Sequence, residues 1–341
     1  MHSSPHRRKP SVLMRLLKVL YILLVIISLI IVAVYAAFRL WVKPPDVDSQ
    51  VTFHPDPVFS DPVDDPSVTD DPQVTPEPTP TPLVLTRRDG VYTCLLLGVA
   101  DMGGSDTIML GVFDTQGKTA SLVSIPRDTL VNVNGDRKIN STYSIGGTEL
   151  ISETVSSMLG VPVDYCLSVN FQGFKAIVDT IGGVWFTVPV DMDYEDPYQD
   201  LSIHISAGYQ KLNGEQAVGV MRCRSCYPSA DIGRVQTQRA FLTALVDQTI
   251  TLSNVTKVTS LIKILNSYVD TDMPLDTMIY FATQAIGMDL GSALSSATLP
   301  GEWDGVHSVY QLDDDKVLEL VNSLGIYQEE MPMEALNIRH K

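Results

Sequence analysis

The residues with the most chemistry to offer crowd into one stretch, "RCRSCYPSADIGRVQTQ" (222–238), which holds Arg222, Arg224, Arg234 and Gln238 with Cys223 and Cys226 between them. Arg222 and Arg224 are two apart, so an extended chain there points both to one face. Asp231 is predicted to cap a helix running through "IGRVQTQRAFLTALV", on which Arg234 and Gln238 stack one turn apart. Guanidinium presents a planar fork of donors that matches phosphate oxygens. Three arginines and an amide can therefore cradle a pyrophosphate, although the same cluster also reads as a solvated face offset by a chain of net charge −16. Arg239, nearer the apolar side, reads as structural.

Three further motifs interrupt apolar runs. "GVADMGGSDTIML" (98–110) carries Asp101 and Asp106 at neighbouring strand ends. Two carboxylates so placed can hold Mg²⁺, which takes oxygen ligands and keeps waters that phosphate replaces; Asp and Gly are equally ordinary turn residues. "SIPRDT" (124–129) delivers Arg127 and Asp128 where a strand closes, and ligands of open α/β sheets bind at strand ends. A surface ion pair is the plain alternative. Lys138 precedes a helix in "DRKINSTYSIGG", where helix N-termini attract anions but where a solvated loop lysine is also common.

The elements that must position these groups follow from period and punctuation. Short apolar runs at 92–99, 107–114, 119–125, 164–169 and 184–190 read as strands, and Gly117 is expected to supply the positive φ of the hairpin between the second and third. Helical patterns cover 148–159, stopping at Gly160, and 171–181, stopping at Gly182 and Gly183. Asn213 with Gln216 three residues on signals a short helix leading to Met221. Further helices are expected over 235–252, 255–269 and 275–286. Alternating strands and helices with an embedded hairpin predict a layered α/β domain on a mixed sheet.

The N-terminal part is of another kind. Residues 19–38, "VLYILLVIISLIIVAVYAAF", are uncharged. At ~1.5 Å per residue they span a ~30 Å hydrocarbon core, and they exceed the ~7–15 apolar residues of a cleaved signal. Arg7, Arg8, Lys9, Arg15 and Lys18 precede them with no acid among them, which places the N-terminus in the cytoplasm and the rest outside. Residues 44–85 hold eleven prolines, nine acids and no Lys or Arg, a composition for an extended, self-repelling stalk. The overall acidity argues against a nucleic-acid partner. Cys94 and Cys166 fall in apolar strand patterns and read as buried thiols, whereas Cys223 and Cys226 could form a local disulfide, since the extracytoplasmic compartment permits one.

Taken in order, "LLLGVAD…SDTIML", "SIPRDT", "KIN", "IGGVWFTV", "LNGEQAV…RCRS" and "DIGRVQTQ" resemble the LytR-CpsA-Psr family. The resemblance implies a membrane-anchored extracytoplasmic enzyme that moves a glycopolymer, teichoic acid or capsule-like, from a polyprenyl-pyrophosphate carrier onto peptidoglycan. It implies a three-layer α/β/α sandwich with a mixed central sheet, preceded by one transmembrane helix, and a hydrophobic tunnel for the lipid. Carried over by position, Asp106 with Asp101 would hold Mg²⁺. Arg127, Arg222, Arg224 and Arg234 would act on the pyrophosphate with help from Lys138 and Gln238. Two positions depart from the pattern: Gly104 and Thr237 stand where many members carry arginine. The implied boundaries are a basic tail 1–18, a membrane helix 19–41, a stalk 42–86, a catalytic domain 87–324 and a tail 325–341. A pyrophosphate hydrolase and a non-catalytic lipid-carrier sensor are the alternative functions.

Overall fold

The computed structural model describes residues 42–53, 83–99, 104–133, 136–196, 201–223, 225–227, 231–249, 264, 267–285, 288 and 293–340; the side chains of 132, 133, 136, 137, 231, 232, 234 and 235 are excluded. The expected membrane helix therefore lies outside the described residues, as do Asp101, Arg224 and most of the helix expected over 255–269. No helix among the described residues is long and apolar enough to cross a membrane. The chain divides into two units, 46–273 with 281–341, and 1–45 with 274–280.

Strands β1 (Gln50–Phe53) and β2 (Leu83–Thr86) form an antiparallel pair. The central strands are β3 (Val91–Val99), β4 (Ser105–Asp114) and β5 (Thr119–Ser124). A small hairpin, β6 (Leu130–Val133) and β7 (Asp136–Lys138), leads into helix α1 (Ile139–Leu159). Then come β8 (Tyr165–Asn170), α2 (Phe171–Ile181), β9 (Val184–Val188), β10 (Met192–Asp196), β11 (Leu201–Ile205) and β12 (Gly208–Leu212). Helices α3 (Gly214–Arg222) and α4 (Asp231–Thr249) follow, and then β13 (Val269–Thr271), α5 (Leu275–Ala285) and β14 (Leu294–Thr298). The chain closes with β15 (Gly301–Asp304), β16 (Val309–Leu312) and α6 (Asp314–Ser323).

The fold is a mixed α/β one. Its central sheet has six strands in the order β13-β8-β3-β4-β5-β14, with β3–β8 and β5–β14 parallel and the other pairs antiparallel. Register sorts the side chains by face. Leu110, Leu95 and Cys166 lie side by side across β4, β3 and β8, and they share one core with Ile151, Val155 and Leu159 of α1. One residue along, Met109, Leu96 and Leu167 form the neighbouring row on the opposite face.

Local chemistry accounts for the element ends. Asn213 and Gln216 close a reciprocal capping box at the start of α3. The first part of α1 breaks at Gly147, whose φ of 65° and ψ of −152° suit only glycine, so the helical pattern restarts at Thr148. β9 stops before Pro189, which has no N–H for a ladder.

Several expectations are corrected. The left-handed residue of the β4–β5 hairpin is Lys118 (φ 56°), not Gly117. Gly117 is needed instead because Asp114 folds over the turn, accepting from the N–H groups of Gln116 and Gly117 at 2.9 and 2.6 Å, and a Cβ there would sit 2.7 Å from Asp114 Oδ2. Val269 begins an edge strand rather than ending a helix, since it pairs with Val169 of β8. Parts of the stretch read as stalk carry structure: Leu85 is in the core, with Val51, Phe53 and Leu83 packed against it. So do parts of the C-terminal tail, where Met331 and Ala335 are core residues. In both segments spaced apolar side chains have a core within reach; the Pro- and Asp-rich residues 54–82 are not described.

One buried ion pair holds the start of the domain. Arg87 and Asp164 meet through both carboxylate oxygens with side chains 3% and 7% exposed. Arg87 Nε also donates to the Val91 carbonyl at 2.9 Å, and the Thr93 N–H donates to Asp164 at 2.7 Å.

Candidate active site

A cavity of about 540 Å³ opens under the second face of the sheet. Its floor is the cross-strand row Met109, Leu96 and Leu167, next to the row Thr107, Gly98 and Val169. Phe171, Phe174 and Ile177 of α2 and Leu242 and Leu245 of α4 complete an apolar lining. Among the described residues, polar groups enter through Asp106, Asn170, Arg222, Ser225 and Gln238, with Thr107 and Tyr194 contributing hydroxyls. An apolar chamber with a few convergent polar groups suits an amphipathic ligand.

The first cluster of predicted residues gathers where β4 begins and β5 ends. Arg127 Nη1 donates to Asp106 Oδ1 at 2.6 Å, and its Nε is 3.6 Å from Asp128 Oδ2. Lys138 Nζ lies 2.9 Å from the other oxygen of Asp128. The backbone fixes this cluster: Asn140 N donates to the Arg127 carbonyl at 3.1 Å and Ile139 N to that of Thr129 at 3.0 Å. The "SIPRDT" turn is thus fastened to the first turn of α1, and two cations alternate with two carboxylates within ion-pairing distance.

The second cluster comes from α3 and α4. Arg222 ends α3 and lies over the ring of Phe171, 4.9 Å from its centroid. That contact holds a cation against the cavity wall. Gln238 is 5% exposed and donates from Nε2 to the Met221 carbonyl at 2.8 Å. Its amide nitrogen therefore fastens the end of α3, a positioning role that the spacing to Arg234 did not suggest. The structure joins Cys223 and Cys226 as a disulfide with Cα atoms 5.7 Å apart, directly after Arg222. Arg224 and the Arg234 side chain lie outside the described residues.

The two departures from the family pattern differ in kind. Thr237 is buried, donates to the Gly233 carbonyl at 2.9 Å and lines a separate hollow beside Trp185 and Tyr209. A Cβ on Gly104 would meet nothing within 4 Å, so a longer side chain has room there. Phe171 and Asn170 were not singled out in the sequence. Asn170 caps α2 by accepting from Gly173 N at 2.8 Å, and both residues line the cavity. The signal available was their place at the junction of a strand and a helix.

Among the described residues no group of three or more His, Cys, Asp or Glu is gathered for a metal. Mg²⁺ is often held by only one or two carboxylates, with waters and substrate phosphate completing its shell. Asp106, one-third exposed at the cavity, fits that requirement as one ligand.

A family model described as the LytR_cpsA_psr family matches residues 67–325. The polyisoprenyl-teichoic acid–peptidoglycan teichoic acid transferase TagV of Bacillus subtilis is 34% identical over 194 residues, which are 53% of this chain and 50% of that relative. The match thus spans half the length of TagV. The TagU transferase of Bacillus licheniformis is 30% identical over 232 residues, 66% of this chain and 73% of its own length. The crystal structure of B. subtilis TagV superposes with a TM-score of 0.60 at 28% identity, covering 70% of this chain and 96% of that one. The structure of TagT bound to LIIa-WTA gives 0.58 at 27% identity, covering 69% of this chain and 90% of that one.

Proposed function

Because the chain belongs to the LytR_cpsA_psr family, whose model it matches over residues 67–325, we propose that it transfers a glycopolymer, teichoic acid or capsule-like, from a polyprenyl-pyrophosphate carrier to peptidoglycan. The observation that carries this reading is the apolar cavity with Asp106 and Arg222 at its polar end. A polyprenyl tail needs such a lining, and its pyrophosphate needs cations where the lining ends. TagV and TagU, named as transferases of teichoic acid to peptidoglycan, support the substrate pair.

In this reading the domain is a three-layer α/β/α sandwich, in keeping with a sheet whose two faces serve the α1 core and the cavity. Residues 19–38 anchor it in the membrane with the catalytic part outside, a reading supported by their length and the basic residues before them. The lipid tail occupies the cavity. Arg127 and Arg222, joined by Arg224 and Arg234, grip the two phosphates, with Lys138 adding charge beside Asp128. Gln238 keeps Arg222 in place through Met221. Asp106, with Asp101, would hold Mg²⁺, which when bound supplies neutralisation of charge on the lipid phosphate.

A sugar hydroxyl of peptidoglycan then attacks the phosphorus nearer the polymer. Its oxygen–phosphorus bond forms as the anhydride bond to the lipid-side phosphorus breaks. The hydroxyl proton is released, and polyprenyl phosphate departs with the bridging oxygen. The arginines stabilise the charge that builds on that leaving group. Native mass spectrometry of the full chain in detergent tests the first requirement. A polyprenyl-pyrophosphate glycan is expected to remain bound to the wild-type protein and to be lost from Leu242→Trp, which fills the cavity. Equal retention by both proteins would place the lipid elsewhere.

A further inference from the structure

An exposed aromatic ring is tied to the active-site cations by a continuous run of side chains. Trp303, on β15, is 55% exposed. Lys138 Nζ sits over its ring at 5.9 Å from the centroid, and the same ammonium pairs with Asp128 at 2.9 Å. Asp128 neighbours Arg127, and Arg127 holds Asp106 at the cavity. The hairpin that carries the ring is not free to wander from this cluster. Tyr310, opposite Trp303 in the β15–β16 register, donates its N–H to the Asp128 carbonyl at 2.8 Å. Its hydroxyl donates to the carbonyls of Leu299 and Gly301 at 3.2 and 3.0 Å.

The ring belongs to neither hydrophobic core cluster. We propose that Trp303 is the stacking platform for a sugar ring of the acceptor glycan, an inference that rests on the transferase reading. A pyranose has a flat C–H face that packs on an aromatic ring and a rim of hydroxyls that needs polar neighbours. Here Lys138, held beside the ring, is the polar neighbour. The direction of attack selects the acceptor over the donor polymer. Displacement at phosphorus is roughly in line, and the leaving phosphate is attached to the tail in the cavity, so the attacking hydroxyl arrives from the opposite side. Trp303 is fastened to the Arg127 loop and is absent from the cavity lining.

The test measures transfer by the full chain while a purified peptidoglycan disaccharide-peptide fragment is varied at saturating lipid donor, and then the reverse. Trp303→Ala is expected to raise the acceptor KM about tenfold, the loss expected for one ring-sized apolar contact, with the donor KM unmoved. Trp303→Tyr restores most of it. Val306→Ala, an 87% exposed position of the same hairpin, changes neither constant. An unchanged acceptor KM in Trp303→Ala, or a donor KM that rises instead, overturns the proposal. Were the wild-type chain to transfer nothing, the transferase reading itself would fail. Fluorescence titration with the same fragment then decides the platform: a change absent from Trp303→Phe supports it, and no change overturns it.

Discussion

Gln238 in α4 donates to the carbonyl of Met221 at 2.8 Å and so fastens the last turn of α3 one residue before Arg222. Replacing it with alanine removes the donor and leaves that carbonyl without its partner in a largely buried place. Such a loss costs about 1–3 kcal/mol. Gln238→Ala is therefore expected to lower the unfolding midpoint and to reduce kcat/KM for the lipid donor. Urea unfolding and steady-state kinetics check the two effects together, and a large kinetic loss at unchanged stability would instead make Gln238 a direct substrate contact.

The Arg87–Asp164 pair anchors the start of the domain from inside, where neither charge has water to turn to. Removing one partner of a buried pair strands the other, at a cost of roughly 3–5 kcal/mol. Asp164→Ala is expected to destabilise by that amount in denaturant unfolding. A loss below 1 kcal/mol, the range of exposed pairs, would show that the guanidinium is better solvated than its burial indicates.

The four cysteines divide by reactivity. Cys223 and Cys226 are joined, and a loop this short contributes about 2 kcal/mol by the chain-entropy relation. Burial pushes the Cys166 thiol up to about 11 and raises that of Cys94 further. Without a thiolate neither is a nucleophile. Alkylation of the native, unreduced chain followed by intact-mass measurement is expected to label none of the four. Denaturation alone exposes Cys94 and Cys166, and labelling Cys223 or Cys226 requires a reductant.

His204 on β11 stands between Asp193 and Glu195 of β10, 2.7 Å from each. The hydrogen bond that the ring donates to Asp193 first, then the one it donates to Glu195, holds its imidazole above the ordinary value of 6.5. A raised folded-state pKa means that its contribution is complete below 6.5 and is lost as pH rises through the raised value. An NMR titration of the His204 ring is expected to show a midpoint above 6.5 that falls in Asp193→Asn. After correction for the intrinsic base catalysis of exchange, the amides of the β10–β11 hairpin are expected to be less protected on the alkaline side of that midpoint. An unmoved midpoint in Asp193→Asn would contradict the assigned cause.

Signals confined to a few neighbouring residues could be read directly. The Asn213 and Gln216 box, the stop of α2 at Gly182 and the buried runs of β3, β4 and β8 all depend on local backbone chemistry and period. Gly117 shows where local reading ends: glycine predicts a left-handed turn residue, but the turn was shaped by Asp114 folding over it. Val269 appeared helical because its partner, Val169, is a hundred residues away. The site divides the same way. Motifs brought Arg127, Asp106 and Arg222 into view by type. That Gln238 serves a backbone carbonyl, that Phe171 lies under a guanidinium, and that Leu96, Met109 and Leu167 share one floor follow only from three-dimensional packing.

Transfer to an acceptor separates the proposed transferase from a hydrolase. Purified full-length chain in detergent with Mg²⁺ is given a polyprenyl-pyrophosphate glycan with and without peptidoglycan fragments, and mass spectrometry follows the phosphodiester-linked product. The arrangement of Asp106, Arg127 and Arg222 predicts product and polyprenyl phosphate together, only when acceptor is present, and a loss of at least a hundredfold (about 2.7 kcal/mol) in Arg127→Ala and Arg222→Ala that stay folded. Lipid cleavage at the same rate without acceptor would make the protein a hydrolase, and unchanged turnover in both arginine variants would contradict the site.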